Sequence, residues 1–426
     1  MKLRREALGR QASASCPQLS LGCDMQQIDP EMTPAERIKL FRMRAGLTQE
    51  QAAQLKGCTV SAWRKWESGE RSVNSLGDWI EIARIVRVKD LFRLTGLPLG
   101  ELPDEPSEHE TIPPIRSAMH AYPQRLDEPV DLDLLGRSLD FAWGTWHGSG
   151  SRYTRTGPML PDLITDTRAA LISLDDAEDR RRGQRLAMHL WSLIRAYGKR
   201  IGALDVAMVA ADRASTAADN ADDPCYRAAA AWHTATVLSA SGHTEEAAAL
   251  CRDAVRDLEG IDDQDPERIA LVGVLHLLLA VQEARLRSEP AAMNALAVAD
   301  RAAVAVGETT YHRVYFGPTN VGIHRSAVAL ELSRPHEALR VAEHVDVSQS
   351  PSVERRYAHY LHLARGYANR REDLAALHML LRGDRECAEE SKINLTVKGL
   401  TRELLRRETP TTRPELRPFA ERIGVA

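Results

Sequence analysis

Apolar residues return every three or four positions along most of this chain and do not alternate, a pattern that predicts helices and no sheet. Near the N-terminus the pattern is cut into short lengths, each with its own start and stop. Thr33-Pro34-Ala35-Glu36 opens the first: the threonine hydroxyl can take the Glu36 N–H, the glutamate can return the bond, and the proline fits the first helical position. This helix runs to about Arg44 and stops at Gly46. Thr48-Gln49-Glu50-Gln51 repeats the device for a helix through about Leu55 that Gly57 ends, and Thr59 caps a third, Val60 to about Ser68, ended by Gly69. Ser75 to about Val86 and Lys89 to Leu94 complete five short helices, with Gly96 as the last stop. A compact all-α domain is expected over residues 33–96.

From about Val130 the chain is rich in alanine and leucine and reads as helix nearly throughout. Aligning the small residues brings out an internal repeat. Gly202, Ala207, Ala211 and Ala214 share their spacing with Gly242, Ala247, Cys251 and Ala254, offset by 40 residues. A looser copy is expected at Pro290, Ala295, Ala299 and Ala302, and two more centre on Ala338 with Ala342 and on Ala376 with Leu380. The expected organisation is a disordered extension over 1–32, with Met25 and Met32 as candidate starts, then the small domain and a linker over 97–130. A repeat domain over 131–408 and a tail over 409–426 follow.

Charge divides the same way. The whole chain carries a formal −4, but Thr33 to Gly96 holds twelve Lys and Arg against seven acids. Leu97 to Leu134 holds nine acids, two arginines and a series of prolines that interrupt helices. A small basic domain on an otherwise acidic protein is the electrostatic footprint of a nucleic-acid-binding module.

The stretch LTQEQAAQLKGCTVSAWRKWESGER, Leu47 to Arg71, resembles the helix-turn-helix of the Xre/Cro/C1 repressor family. The matching features are the Leu-Thr-Gln-Glu opening, Ala53, the turn at Gly57, Trp63, and Trp66-Glu67 followed by Gly69 and a base. The resemblance implies a reading helix that places Thr59, Val60, Ser61, Ala62, Arg64 and Lys65 toward the major groove of double-stranded DNA. There an arginine can bond a guanine edge and a small apolar group can meet a thymine methyl. It also implies a phosphate contact at Gln49, with Arg42, Arg44 and Arg71 as further phosphate contacts. The alternative for each of these residues is a solvated polar face. Two departures stand out: Lys56 and Cys58 occupy positions where the family has leucine and valine.

The body pattern is similar to the tetratricopeptide repeat, in which helix pairs stack into a superhelix with a concave groove; an ordinary alanine-rich bundle is the alternative. The fold class expected is therefore all-α, a five-helix DNA-binding domain followed by a tetratricopeptide-like α-solenoid. Such a body behind such a head resembles the peptide-sensing regulators of Gram-positive bacteria and the helix-turn-helix/repeat regulators of actinobacteria. It implies a peptide, small-molecule or protein effector in the groove, and because one short helix offers few base contacts, a homodimer joined through the body is expected. Asn320, whose amide can clamp a peptide main chain, and His324 are the candidate effector contacts, although Thr319 or Asn320 can equally serve as a helix cap. His359 and His362 read as a packing or solvated pair.

Other classes find no support in the sequence. Six cysteines are scattered without a CxxC pair, so reduced thiols are expected and no metal site. No stretch approaches the roughly 20 apolar residues of a membrane span, and no apolar run follows the basic N-terminal residues, so a cytoplasmic protein without membrane contact is expected. There is no P-loop, dinucleotide fingerprint, HExxH or GxSxG, so neither enzymatic activity nor a cofactor is expected. The second functional reading is an interaction scaffold whose head has lost DNA binding.

Overall fold

The computed structural model describes residues 32–70, 73, 76–88, 91–95, 109–127, 130–348 and 350–425. The expected N-terminal extension, apart from Met32, lies outside them, as do Arg71 and residues 97–108 of the expected linker. The chain divides into two compact units, Met1–Ser107 and Glu108–Ala426. Among the described residues all regular structure is helical, with one isolated bridge between Thr309 and Phe316.

The first unit contains α1 (Pro34–Arg44), α2 (Gln49–Lys56), α3 (Val60–Ser68), α4 (Leu76–Ile85) and α5 (Leu91–Thr95). Both expected capping boxes form: Glu36 N–H donates to Thr33 Oγ1 at 3.3 Å and Thr33 N–H to Glu36 Oε2 at 2.8 Å. The Thr48–Gln51 pair does the same at 3.1 and 2.9 Å. Gly57 and Gly69 end α2 and α3 in the left-handed region, at φ 71° and 78°, where a side chain would strain the backbone. The helices close around Ile38, Phe41, Ala53, Trp63, Ile82 and Leu94.

The second unit begins with α6 (Ile112–His120), α7 (Leu132–Gly148), α8 (Arg152–Thr156) and α9 (Leu160–Ser173). Helix α6 lies inside the expected linker. Its two prolines, Pro113 and Pro114, occupy the first turn, where a missing N–H costs nothing, and Ile112, Ile115 and Met119 are buried in the body core. The prolines thus start a helix here where the sequence reading has them interrupt one. Five helical hairpins follow: α10 (Ala177–Ile201) with α11 (Leu204–Ala221), α12 (Pro224–Ala240) with α13 (Thr244–Asp257), α14 (Pro266–Arg285) with α15 (Glu289–Val306), α16 (Pro318–Glu331) with α17 (Pro335–Ala342), and α18 (Val353–Asn369) with α19 (Asp373–Glu386). Helices α20 (Ala388–Ile393), α21 (Leu395–Arg406) and α22 (Arg413–Arg422) finish the unit. The expected tail is therefore a packed helix, with Leu416 and Phe419 fully buried.

One local device closes all five hairpins. The turn residue sits at positive φ: Gly202 at 84°, Gly242 at 86°, and Arg287, Ser333 and Arg371 each at 62°. The next N–H then reaches back to a carbonyl in the last helical turn, Ala203 to Gly198, His243 to Leu238, Ser288 to Glu283, Arg334 to Ala329 and Glu372 to Tyr367, at 2.8–3.0 Å. After each turn a buried alanine, Ala207, Ala247, Ala292, Ala338 or Ala376, lets the second helix lie close against the first. This corrects the register of the third copy. Its turn residue is Arg287 and its small-residue row runs Ala292, Leu296, Ala299, displaced from the expected Pro290, Ala295, Ala299, Ala302.

Candidate nucleic-acid interface

Helix α3 is amphipathic in the simplest way. Trp63 and Trp66 are buried and meet edge to face, ring centroids 5.9 Å apart, which fixes the helix by its inner side. Ser61, Arg64 and Lys65 are exposed on the outer side, with Ala62 half-buried at its margin. Val60 is also half-buried and packs against the head core, so only part of it faces outward. Thr59, though exposed, commits its hydroxyl to the cap, accepting the Ala62 N–H at 3.2 Å.

The inner side of α3 carries one polar group, Glu67, and it organises the head. Its carboxylate accepts from Arg42 Nε at 2.5 Å, Arg42 Nη2 at 3.1 Å, Trp63 Nε1 at 2.7 Å and Gln49 Nε2 at 2.8 Å. Burial pushes this carboxyl up, but the bonds from Arg42, Gln49 and Trp63 outweigh it and hold the group below its ordinary range. Arg42 is itself buried, and its remaining Nη1 donates to Leu47 O at 2.6 Å. The expected phosphate contact at Arg42 is therefore overturned: its guanidinium braces α1 against α3 and the turn into α2. Arg44 is exposed, its guanidinium 5.6 Å from the Phe41 ring centroid.

Gln49 is half-buried and its amide works in both directions, donating to Glu67 and accepting from Arg64 Nε at 3.1 Å. The sequence pattern places a phosphate contact here; the geometry makes Gln49 a bracket between the buried carboxylate and the exposed arginine. The departure at Lys56 also has a physical account. Its ammonium pairs with Asp78 at 2.9 Å and with Glu81, joining α2 to α4, and those bonds raise its pKa. Cys58 packs against the core in place of a valine, while Leu55 is exposed.

In the body, the two candidate effector residues part company. Asn320 is buried, donates Nδ2 to Tyr315 O at 2.8 Å, and is not among the residues around a cavity enclosed by the hairpins. Neither Thr319 nor Asn320 caps α16 with its side chain; Glu308 Oε1 accepts the Thr319 N–H at 2.8 Å from the strap, residues 307–317, that joins α15 to α16. His324 does line the cavity, a space of about 290 Å³ bounded by the first helices of all five hairpins together with α7 and the strap residues Arg313, Val314 and Tyr315. His359 packs against Tyr360 while His362 lines the same cavity.

Sequence reasoning passed over Glu67, although Trp66-Glu67 belongs to the family pattern, and over Arg195 and, one turn further along α10, Lys199 and Arg200. Among the described residues no group of His, Cys, Asp and Glu is placed to hold a metal, Cys58, Cys225, Cys251 and Cys387 are unpaired, and no helix is long and apolar enough to cross a membrane. No curated protein matches the chain. The family profile of the helix-turn-helix domain matches residues 35–93, so the first unit contains a helix-turn-helix domain.

Proposed function

We propose that this protein is a sequence-specific DNA-binding transcriptional regulator. The observation that carries the reading is α3: it is anchored by Trp63 and Trp66, and it presents Ser61, Arg64 and Lys65 outward with Gln49 bracing Arg64. In the major groove Arg64 supplies a guanine-edge contact and Lys65 a base or phosphate contact, with Thr59, Val60 and Ala62 at the margin. One helix of this length makes few base contacts, so two heads reading half-sites in a homodimer account best for specificity.

The body is read as a tetratricopeptide-like solenoid that dimerises and senses an effector. The recurrence of one turn device and one buried alanine across five hairpins supports this over an irregular bundle. Effector binding then shifts operator affinity by favouring one arrangement of the protein over another. The protein acts in the cytoplasm, without catalytic activity of its own.

The test is footprinting of the purified full-length protein on fragmented host DNA beside an Arg64→Ala/Lys65→Ala variant. A short site, expected as an inverted repeat, that the variant loses is the predicted outcome. Salt-sensitive binding without a motif, or no binding, would shift the reading to an interaction scaffold.

A further inference from the structure

The cavity lined by His324 and His362 is strongly cationic. Seven of its lining side chains are Lys or Arg and two are carboxylates, Glu331 and Glu354. Glu354 pairs with Arg200, Glu331 lies 3.8 Å from Arg285, and Arg313 turns to Asp140. Among the described residues Arg195, Lys199, Arg355 and Arg365 have no carboxylate within ion-pair distance. Burial, and the neighbouring Arg200 and Arg195, bring the Lys199 ammonium down to about 7.

Two buried polar atoms of the lining side chains Arg195 and His233 have no partner among the described residues. Arg195 is buried, donates to Thr236 Oγ1 at 3.0 Å and to His233 Nδ1, and leaves its Nε–H without a partner. Because His233 Nδ1 accepts that bond, the His233 proton sits on Nε2, which is also buried and unpartnered. Two buried N–H donors and a group of basic side chains without a carboxylate at ion-pair distance suit an anionic oxygen.

The other walls offer the opposite chemistry. His147 Nε2 lies 3.2 Å from Arg313 O and His324 Nδ1 lies 2.9 Å from Asn320 O, so each imidazole donates there and turns an acceptor nitrogen to other partners. His362 is held in the same way by Ile323 O, leaving Nδ1 without a partner. Trp143, Trp232 and Tyr315 supply flat apolar surface between these poles.

We propose that this cavity binds a small organic anion, phosphate- or carboxylate-bearing, whose flat ring carries N–H or O–H donors. The anionic group sits at Arg195, Lys199, Arg355 and His233, and the ring lies toward His147, His324 and His362. The volume, about 290 Å³, suits a metabolite and not a length of extended peptide. The proposal deepens the effector reading above and rests on it only for the link to DNA; the binding itself is independent.

Calorimetric titration of the full chain tests it, with adenosine monophosphate and 4-aminophthalate as probes of the two anion sources. Adenosine and chloride at matched ionic strength serve as controls. At least one ring-bearing anion is expected to bind, adenosine about ten-fold or more weakly, and Lys199→Gln and Arg355→Gln are each expected to cost about ten-fold or more, the scale of a lost charge-assisted hydrogen bond. Whichever probe binds identifies the anion source. An exposed-surface variant, Arg252→Gln, should leave binding unchanged, and circular dichroism of every variant separates lost binding from lost folding. Failure of both anions, equal binding of adenosine, or undiminished binding by folded Lys199→Gln and Arg355→Gln would overturn the site. Anion binding that leaves operator affinity unchanged would keep the site and remove only its regulatory role.

Discussion

The side-chain carbonyl of Gln49 accepts the Arg64 Nε–H at 3.1 Å, and the same amide donates to Glu67 at 2.8 Å. An exposed reading-face arginine is thus tied, through one side chain, to a buried carboxylate. Gln49→Ala should leave the fold intact and weaken operator binding by about 1 kcal/mol, roughly five-fold, the net worth of an exposed, solvent-screened hydrogen bond to Arg64. If the effect passes through Arg64, Gln49→Ala should cost little in an Arg64→Ala background, whereas an independent phosphate contact would cost the same in both. Fluorescence anisotropy on the four proteins of this double-mutant cycle decides between them.

Glu67 joins α3 to Arg42 of α1 and Gln49 of α2, so its loss should be felt by the whole head. Glu67→Ala leaves the Arg42 guanidinium buried without its counter-charge, a change expected to cost about 3–5 kcal/mol. Amide hydrogen exchange of residues 36–66 in the intact chain measures it, and protection equal to wild type would refute the hub. The pH dependence has a definite sign. A carboxyl held below its unfolded value stabilises fully above about pH 4.3 and loses that contribution as pH falls through the lower folded value. Head protection should therefore collapse in acid, and Glu67→Gln should flatten that dependence.

The head was legible in the sequence because its punctuation is chemical. Thr33, Thr48 and Thr59 cap, Gly57 and Gly69 stop, and the helices begin and end beside those residues. The body was legible where glycine marks the turn, at Gly202 and Gly242, and misaligned where Arg287 takes the same left-handed conformation without a residue type that signals it. Helix α6 was hidden because prolines at a helix start and prolines in a linker look alike when burial is unknown. The cavity was unreadable: Arg195, His233, His324 and Arg355 lie on four different helices, and only the stacking of hairpins gathers them.

The turn device makes opposite predictions at equivalent positions. Ser333 holds φ 62°, a conformation that costs a non-glycine residue roughly 1–2 kcal/mol, part of which glycine returns as chain entropy. Ser333→Gly should stabilise the body by about 0.5–1 kcal/mol. Gly242→Ala, at φ 86° with open space around the new methyl, should destabilise it by about 1 kcal/mol from backbone strain alone. Denaturant midpoints of the two variants should move in opposite directions, and movement in the same direction would contradict a shared geometry.

Gly273 of α14 lies under the Phe316 ring; a Cβ there would stand 2.0 Å from the ring's Cζ. Phe316 also pairs with Thr309 through bonds of 2.7 and 3.1 Å, so Gly273 sets the height of the strap that carries Arg313 and Tyr315 into the cavity wall. Gly273→Ala should cost about 1–3 kcal/mol by overpacking. It should also expose the amides of residues 309–316 to hydrogen exchange before the flanking helices. Uniform loss of protection across the body would argue that the strap is not a separable element.

Buried histidines, His147, His189, His324 and His362 among them, give the body a sensitivity to mild acid. Burial lowers His147 and His324 to about 4, and His189 and His362 to about 3, with Arg355 and Arg152 adding to the effect at His147, Arg355 at His324, His312 and Arg313 at His189, and Arg365 at His362. Glu354 opposes the shift at His147. In the unfolded chain each takes a proton near pH 6.5, whereas in the folded body each stays neutral, so the unfolded state binds more protons between those values. Their stabilising contribution is complete above about pH 6.5 and is lost as pH falls toward the folded values, by at most about 1.4 kcal/mol per unit for each histidine. The melting temperature of the body should therefore drop steadily from about pH 7 to pH 5, well above the range in which ordinary carboxylates titrate. His324→Gln and His362→Gln should each reduce that slope while keeping an uncharged hydrogen-bonding side chain in place. A melting temperature flat across this range would mean that these imidazoles are charged, or solvated, in the folded body.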